Sequence, residues 1–170
     1  HAFEKDSTGQ LLRLADIIRQ TKIDAGSSYN KRNFMLLGDP ALTMAYASER
    51  VHTDSINGVR AEKTDTVGAM EKVQLKGHIA NSQGQKLEAF NGIVYASVFD
   101  KPEQVTTLSN DGNTPFSFQS RNNLLYKGKA SVTNGHFAME FFVPRDIDYT
   151  AGEAKISYYA VDTSKNIHAM

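Results

Sequence analysis

The chain has 170 residues, 19 of them basic and 19 acidic, with five histidines and no cysteine. Balanced charge leaves no electrostatic footprint for nucleic acid or an anionic membrane surface. The missing cysteine excludes thiol nucleophiles, disulfides and thiolate metal sites.

No run approaches the ~20 apolar residues of a membrane helix, and no signal peptide heads the sequence. The length suits one ordinary domain, or one small domain plus a piece of another, and it suffices to bury a core. The first residue is His1 rather than Met, so a processed or excised piece of a longer protein is expected.

Residues 7–25 carry the clearest helical pattern. Leu11, Leu14, Ala15 and Ile18 fall at i, i+3, i+4 and i+7, on one face of a 3.6-residue period, and Leu12 and Ile17 widen it. Ser7 and Gln10 have capping-box spacing, and Gly26 suits the exit. Asn33–Leu37 is a short apolar run that reads as a buried strand. Gly38-Asp39-Pro40 breaks it, because Pro40 lacks an N–H and biases Asp39 away from helix. A second short strand, Leu42–Tyr46, is expected beyond the turn.

Residues 48–69 are mostly polar, contain Asn57-Gly58, and read as a connection with one or two short strands. From Met70 onward the pattern is strand and turn. Val73, Leu75, Gly77 and Ile79 alternate with Gln74, Lys76 and His78, as in a half-buried strand. Asn81–Gly84 is a turn. Gly92–Phe99, apolar on both faces, reads as a central strand, and Pro102 ends it. Val105–Leu108 is short, Ser109–Asn113 is a loop, and Phe116 and Phe118 share one strand face. In "GKASVTNGHFAMEFFVP" two β-prone runs flank Asn134-Gly135, the preferred pair for a two-residue type I′ hairpin turn. Pro144 ends the second run, Ala154–Val161 is the last strand, and the tail after Asp162 reads as frayed. About seven strands with near-regular turns predict an antiparallel, immunoglobulin-like β-sandwich, without the Cys pair and Trp of antibody domains.

Candidate chemistry is sparse. Asp39 has no His, Lys or second carboxylate nearby in sequence and suits a turn residue accepting backbone N–H bonds. His1, His52, His78, His136 and His168 have no metal-ligand partner at i+2 to i+4, and read as surface histidines. "SNDGN" at 109–113 lacks the alternating carboxylates and distant Glu of an EF-hand, and suits a plain turn. No G-x-S-x-G elbow and no Gly-rich phosphate loop occurs. Tyr158-Tyr159 and Phe141-Phe142 are adjacent on strands, so one of each pair must point outward. No catalytic, cofactor-binding or metal-ligating residue is assigned, and no cofactor is expected.

The stretches "RNFMLLGDPALTMAY", "LKGHIANSQGQKLEAFNGIVYASVFDKP" and "LLYKGKASVTNGHFAMEFFVPRDIDYTAGEAKISYYAVD" resemble the C-terminal part of the gingipain-type cysteine peptidases. The likeness is greatest to the surface sortases of the type IX secretion system of Bacteroidetes. It runs from the "LLRLADIIRQTK" helix to Val161. LLGDP-x-L is the motif shared across the family; the stretch from "KGKASVTNG" to "DIDY" is more specific to the sortases.

The resemblance implies a caspase-like α/β peptidase domain closed by the LLGDP segment, with an immunoglobulin-like domain after it. It therefore divides the chain into a peptidase-domain remnant at 1–47, a linker at 48–69 and a sandwich at 70–165. The family's catalytic Cys and His lie in upstream segments that this chain does not contain, so no catalytic residue carries over. By resemblance the chain is a non-catalytic piece of an enzyme that cleaves C-terminal secretion signals from cargo, located in the cell envelope at the outer surface. Its implied partners are the upstream peptidase domain and secretion-system proteins or cargo; no nucleic acid is expected, and the oligomeric state is left open. The alternative from the residues is an adhesin-like or carbohydrate-binding β-sandwich that displays exposed aromatics.

Overall fold

A computed structural model describes residues 4–44, 46–63, 66–147, 150 and 152–170. The chain folds as two units, His1–Tyr46 and Ala47–Met170. The fold is mainly β, with antiparallel sheets and one α-helix among the described residues.

In the first unit the helix, α1, spans Leu14–Asp24, so it starts seven residues later than the apolar period suggests. The Asp6 carboxylate is the reason. It accepts the backbone N–H of Thr8 and of Gln10 and the Thr8 hydroxyl, giving this stretch a local alternative to helix. The expected Ser7–Gln10 capping box is therefore absent. Instead the Leu14 N–H bonds the carbonyl of Leu42 at 2.8 Å, and the Ala15 N–H bonds that of Pro40 at 3.1 Å. Two of the donors that every helix start leaves open are thus closed by backbone from the turn after Gly38.

The two apolar runs around that turn are not buried strands. Met35 is 72% exposed and Leu37 87%, and Phe34 and Leu42 are exposed too. Among the described residues the one ladder contact of these runs is an isolated antiparallel bridge between Arg13 and Thr43. The carbonyls of Pro40 and Leu42 accept from α1, the N–H groups of Ala41 and Leu42 bond Asp39, Thr43 bridges Arg13, and the described residues of this unit contain no sheet for the runs to join.

The second unit is a sandwich of two four-stranded sheets. Its strands are β1 (Arg50–Ile56), β2 (Val59–Arg60), β3 (Lys72–Ala80), β4 (Gly92–Phe99), β5 (Glu103–Thr106), β6 (Ser117–Ser120), β7 (Leu124–Val132), β8 (His136–Phe142), β9 (Lys155–Asp162) and β10 (Ile167–Ala169). One sheet has the order β2-β1-β3-β8, the other β10-β9-β4-β7, and β5-β6 is a separate hairpin; all pairs are antiparallel.

Period-two alternation builds the core. Val73, Leu75 and Ile79 of β3 and Phe137, Met139 and Phe141 of β8 face Val94, Ala96 and Val98 of β4, with Ala160 and Val132 beside them. Phe90, before β4, is 1% exposed and closes one end. Gly77 is obligatory for its own reason: a Cβ there would meet the Phe137 ring at 2.5 Å and run into the His52 carbonyl.

Residues 48–69 supply β1 and β2, joined by Asn57-Gly58 with φ of 51° and 79°. The tail after Asp162 is not frayed; it forms β10. This strand pairs with β9, and Glu49 bridges Ala169 in parallel fashion. The chain entering β1 thus touches the second sheet before it joins the first. β4 is central in its sheet as expected, but only one of its faces is in the core; Ile93 and Tyr95 are on the open face.

Asn134-Gly135 makes the predicted local turn. Both residues have positive φ (50° and 75°), and Thr133 and His136 exchange both backbone hydrogen bonds. Beyond that single pair the strands part. β7 pairs with β4 in one sheet and β8 with β3 in the other. The turn is a corner between sheets, held by the Gly135 N–H on the Phe90 carbonyl and the Ile79 N–H on the Gly135 carbonyl.

Candidate functional site

The acidic turn of the first unit is structural in its bonding. The Asp39 Oδ1 accepts the Ala41 N–H at 2.9 Å, and its carbonyl accepts the Leu42 N–H at 3.3 Å. These two bonds shape the turn that offers the Pro40 and Leu42 carbonyls to α1. The apolar side chains on either side of it form an exposed surface.

The histidines, scattered in sequence, are gathered by strand register. His52 of β1 lies opposite His78 of β3, which lies opposite His136 of β8. All three point to the open face of the first sheet, since their neighbours Val51, Ile79 and Phe137 point to the core. Ring centroids of His52 and His78 are 5.2 Å apart, and those of His78 and His136 6.4 Å. His78 Nδ1 is 2.6 Å from Asp54 Oδ1, a contact made possible by the bulge between Thr53 and Ser55. His136 Nε2 is 3.0 Å from Lys86 Nζ, which also meets Glu88 at 3.1 Å. The buried Nε2 of His52 has no hydrogen-bond partner. His1 lies outside the described residues. Among the described residues no three or more His, Cys, Asp or Glu are arranged to hold a metal ion.

The open face of the second sheet carries aromatics. Tyr95 and Tyr159 are register partners with ring centroids 6.2 Å apart, and both are exposed. Tyr159 stacks on His168 at 5.9 Å, and its hydroxyl lies 2.7 Å from His168 Nδ1. The adjacent pairs split as strand geometry demands. Tyr158 turns inward to a 2.8 Å hydrogen bond with the Thr53 hydroxyl, and burial raises its pKa. Phe141 is in the core, stacked on Tyr126 at 4.4 Å, and Phe142 is exposed.

Sequence reasoning missed Asp162, the one fully buried charged side chain among the described residues. Its carboxylate accepts the Ser164 hydroxyl at 2.6 Å, the Ser164 N–H at 3.1 Å and the Asn91 N–H at 3.1 Å. These donors, the Ser164 hydroxyl foremost, hold its pKa below the ordinary carboxylate value. A D-x-S spacing at a strand end was the available signal. Asp111, in the "SNDGN" loop, bonds within the loop to Asn113, whose side chain lowers its pKa in the same way. The far end of the sandwich opens into a cleft of about 860 Å³ lined by Ile56, Val73, Val98, Leu125, Phe141 and Ile156. Asp100 on its rim is already bonded to the Lys101 N–H and the Asn123 amide.

No protein-family model and no curated protein matches this sequence. Among solved structures, dimeric latent PorU from Porphyromonas gingivalis aligns with 99% of this chain at a TM-score of 0.65 and 30% identity. This chain spans 16% of that one. Spo0M, a sporulation control protein from Bacillus subtilis, aligns at a TM-score of 0.37 and 13% identity over 73% of this chain and 46% of its own, too weakly to indicate a shared fold. Over nearly its whole length, across both units, the chain is similar to a segment of PorU.

Proposed function

We propose that the chain is a non-catalytic piece of a gingipain-like cysteine peptidase of the type IX secretion sortase kind, whose whole protein cleaves C-terminal secretion signals from cargo at the cell surface. Residues 1–47 are the closing part of the peptidase domain, and the sandwich that follows, which takes β1 and β2 from residues 48–69, is an accessory interaction domain. The observation that carries this reading is the similarity to PorU at 30% identity over 99% of the chain. Two features support it. The chain has no cysteine to act as nucleophile. The exposed Phe34, Met35 and Leu37 suit burial against a larger α/β domain.

Cargo bearing its C-terminal signal, incubated with the isolated chain, should remain intact; cleavage by this chain alone would overturn the reading. The caspase-like part of the parent, expressed separately, should co-purify with the chain and lose it on M35D/L37D substitution. Failure of the unsubstituted pair to associate would remove the assigned role of the first unit.

One observation favours a second reading, a carbohydrate-binding sandwich: Tyr95 and Tyr159 lie side by side on an open sheet face. Saturable hits on a glycan array that vanish in Y95A/Y159A would support it, and an empty array would dismiss it.

A further inference from the structure

Building on the reading of the sandwich as an interaction domain, we propose that the outer edge of β7 binds an extended peptide strand of another protein, acidic on one side and apolar on the other. β7 is the last strand of the β10-β9-β4-β7 sheet. Among the described residues its ladder runs to β4 alone, and no other backbone hydrogen bond reaches Leu124–Val132. Nine residues without proline thus present unpaired N–H and C=O groups along one side. Such an edge accepts an added strand through main-chain hydrogen bonds, and the alternate side chains set its specificity.

Two features define the partner. On the open face, Lys129 and Lys127 stand in register with Tyr95 and Ser97. Both lysines are exposed, and neither has an ion-pair or hydrogen-bond partner among the described residues. The four strands of this sheet contain one carboxylate, Asp162, and it is buried. Edge lysines oppose pairing with a second copy of the same strand. They favour an acidic strand, since opposite charges stabilise cross-strand pairs. On the inner side, Tyr126, Gly128 and Ala130 are half-buried, although their β4 partners Val98, Ala96 and Val94 lie within the core. Gly128 is held to that size, because a Cβ there would run into the Tyr126 ring. Small residues on a last strand leave the flank of the core thinly covered. Apolar side chains at alternate positions of an added strand would seal it.

The test is a fluorescein-labelled peptide of alternating Glu and Val, titrated into the chain by fluorescence anisotropy, with backbone amides followed by NMR. Binding should saturate at one peptide per chain, and the amides of 124–132 should shift and gain protection from exchange. Lys127→Glu combined with Lys129→Glu should weaken binding roughly tenfold and turn the preference to a peptide of alternating Lys and Val. A strand offers its neighbour alternate backbone groups, so N-methylation of at least one alternate set of peptide residues should abolish binding. Absence of saturable binding, equal uptake of the Lys-Val peptide by the unsubstituted chain, shifts centred away from β7, or tolerance of both N-methylated peptides would overturn the proposal. Self-association through β7 in light scattering, without peptide uptake, would give the edge to a second copy and overturn it too. Circular dichroism of the double variant separates lost binding from lost fold. Failure of the peptide to bind leaves the co-purification of the first unit with the peptidase part untouched, so the two readings fail separately.

Discussion

Two Asn-Gly turns with the same dipeptide and nearly the same backbone should respond differently to the same substitution. Gly58 and Gly135 have φ of 79° and 75°. An alanine in that region costs about 1–2 kcal/mol from backbone sterics. At Gly58 nothing else is within 4 Å of the added Cβ, so the cost should stay near about 1 kcal/mol. At Gly135 the Cβ would run into the Leu87 carbonyl, 3.0 Å from its carbon and closer still to its oxygen, a backbone group that cannot rotate away. Relief requires the corner to move off the Phe90 carbonyl and the Ile79 N–H, two hydrogen bonds of about 1 kcal/mol each. Gly135→Ala should therefore cost about 3 kcal/mol, a large share of the ~5–15 kcal/mol that holds a domain together. Urea unfolding monitored by the β-sheet circular dichroism signal measures both variants on one axis. Equal destabilisation by the two alanines would refute the claim that the second turn is a bolted corner rather than an ordinary hairpin tip.

Phe90→Ala should destabilise the sandwich by about 3–5 kcal/mol in the same assay, because the ring is fully buried at the end of the core. Asp162 has a folded-state pKa below its unfolded value, so its contribution is present above the unfolded pKa and lost as pH falls through the folded one. Melting temperature should accordingly drop on acidification below about pH 4, and Asp162→Asn should lower it near neutrality while flattening that drop. Asp39→Ala should weaken the start of α1 by about 1 kcal/mol, seen as faster hydrogen exchange at the Leu14 and Ala15 amides. An unchanged exchange rate there would show that the turn holds its shape without the carboxylate.

Much of the sandwich is legible in the sequence. β3 and β8 carry a period-two pattern, and their inward residues are among those with the smallest exposure. Both Asn-Gly turns adopt the conformation their residues prefer. The failures have local causes. The helix starts late because Asp6 competes for backbone donors, which the apolar period does not register. The Asn33–Leu37 run has the composition of a strand, yet a strand needs a neighbouring strand, and its unit offers none among the described residues. β10 escapes a periodicity reading because three residues are too few to show a period; pairing with β9 and Glu49 creates it.

By itself the sequence determined which residues of β3 turn inward and where the Asn-Gly turns bend, since both depend on chemistry within a few positions. The tertiary structure decided which sheet each strand joins. It sent β7 and β8 apart after one shared pair, lined His52, His78 and His136 across three strands, and buried Asp162 among donors from Asn91 and Ser164. Those outcomes depend on pairing between segments distant in the chain. Such pairing is selected by the core as a whole, so no local stretch records it.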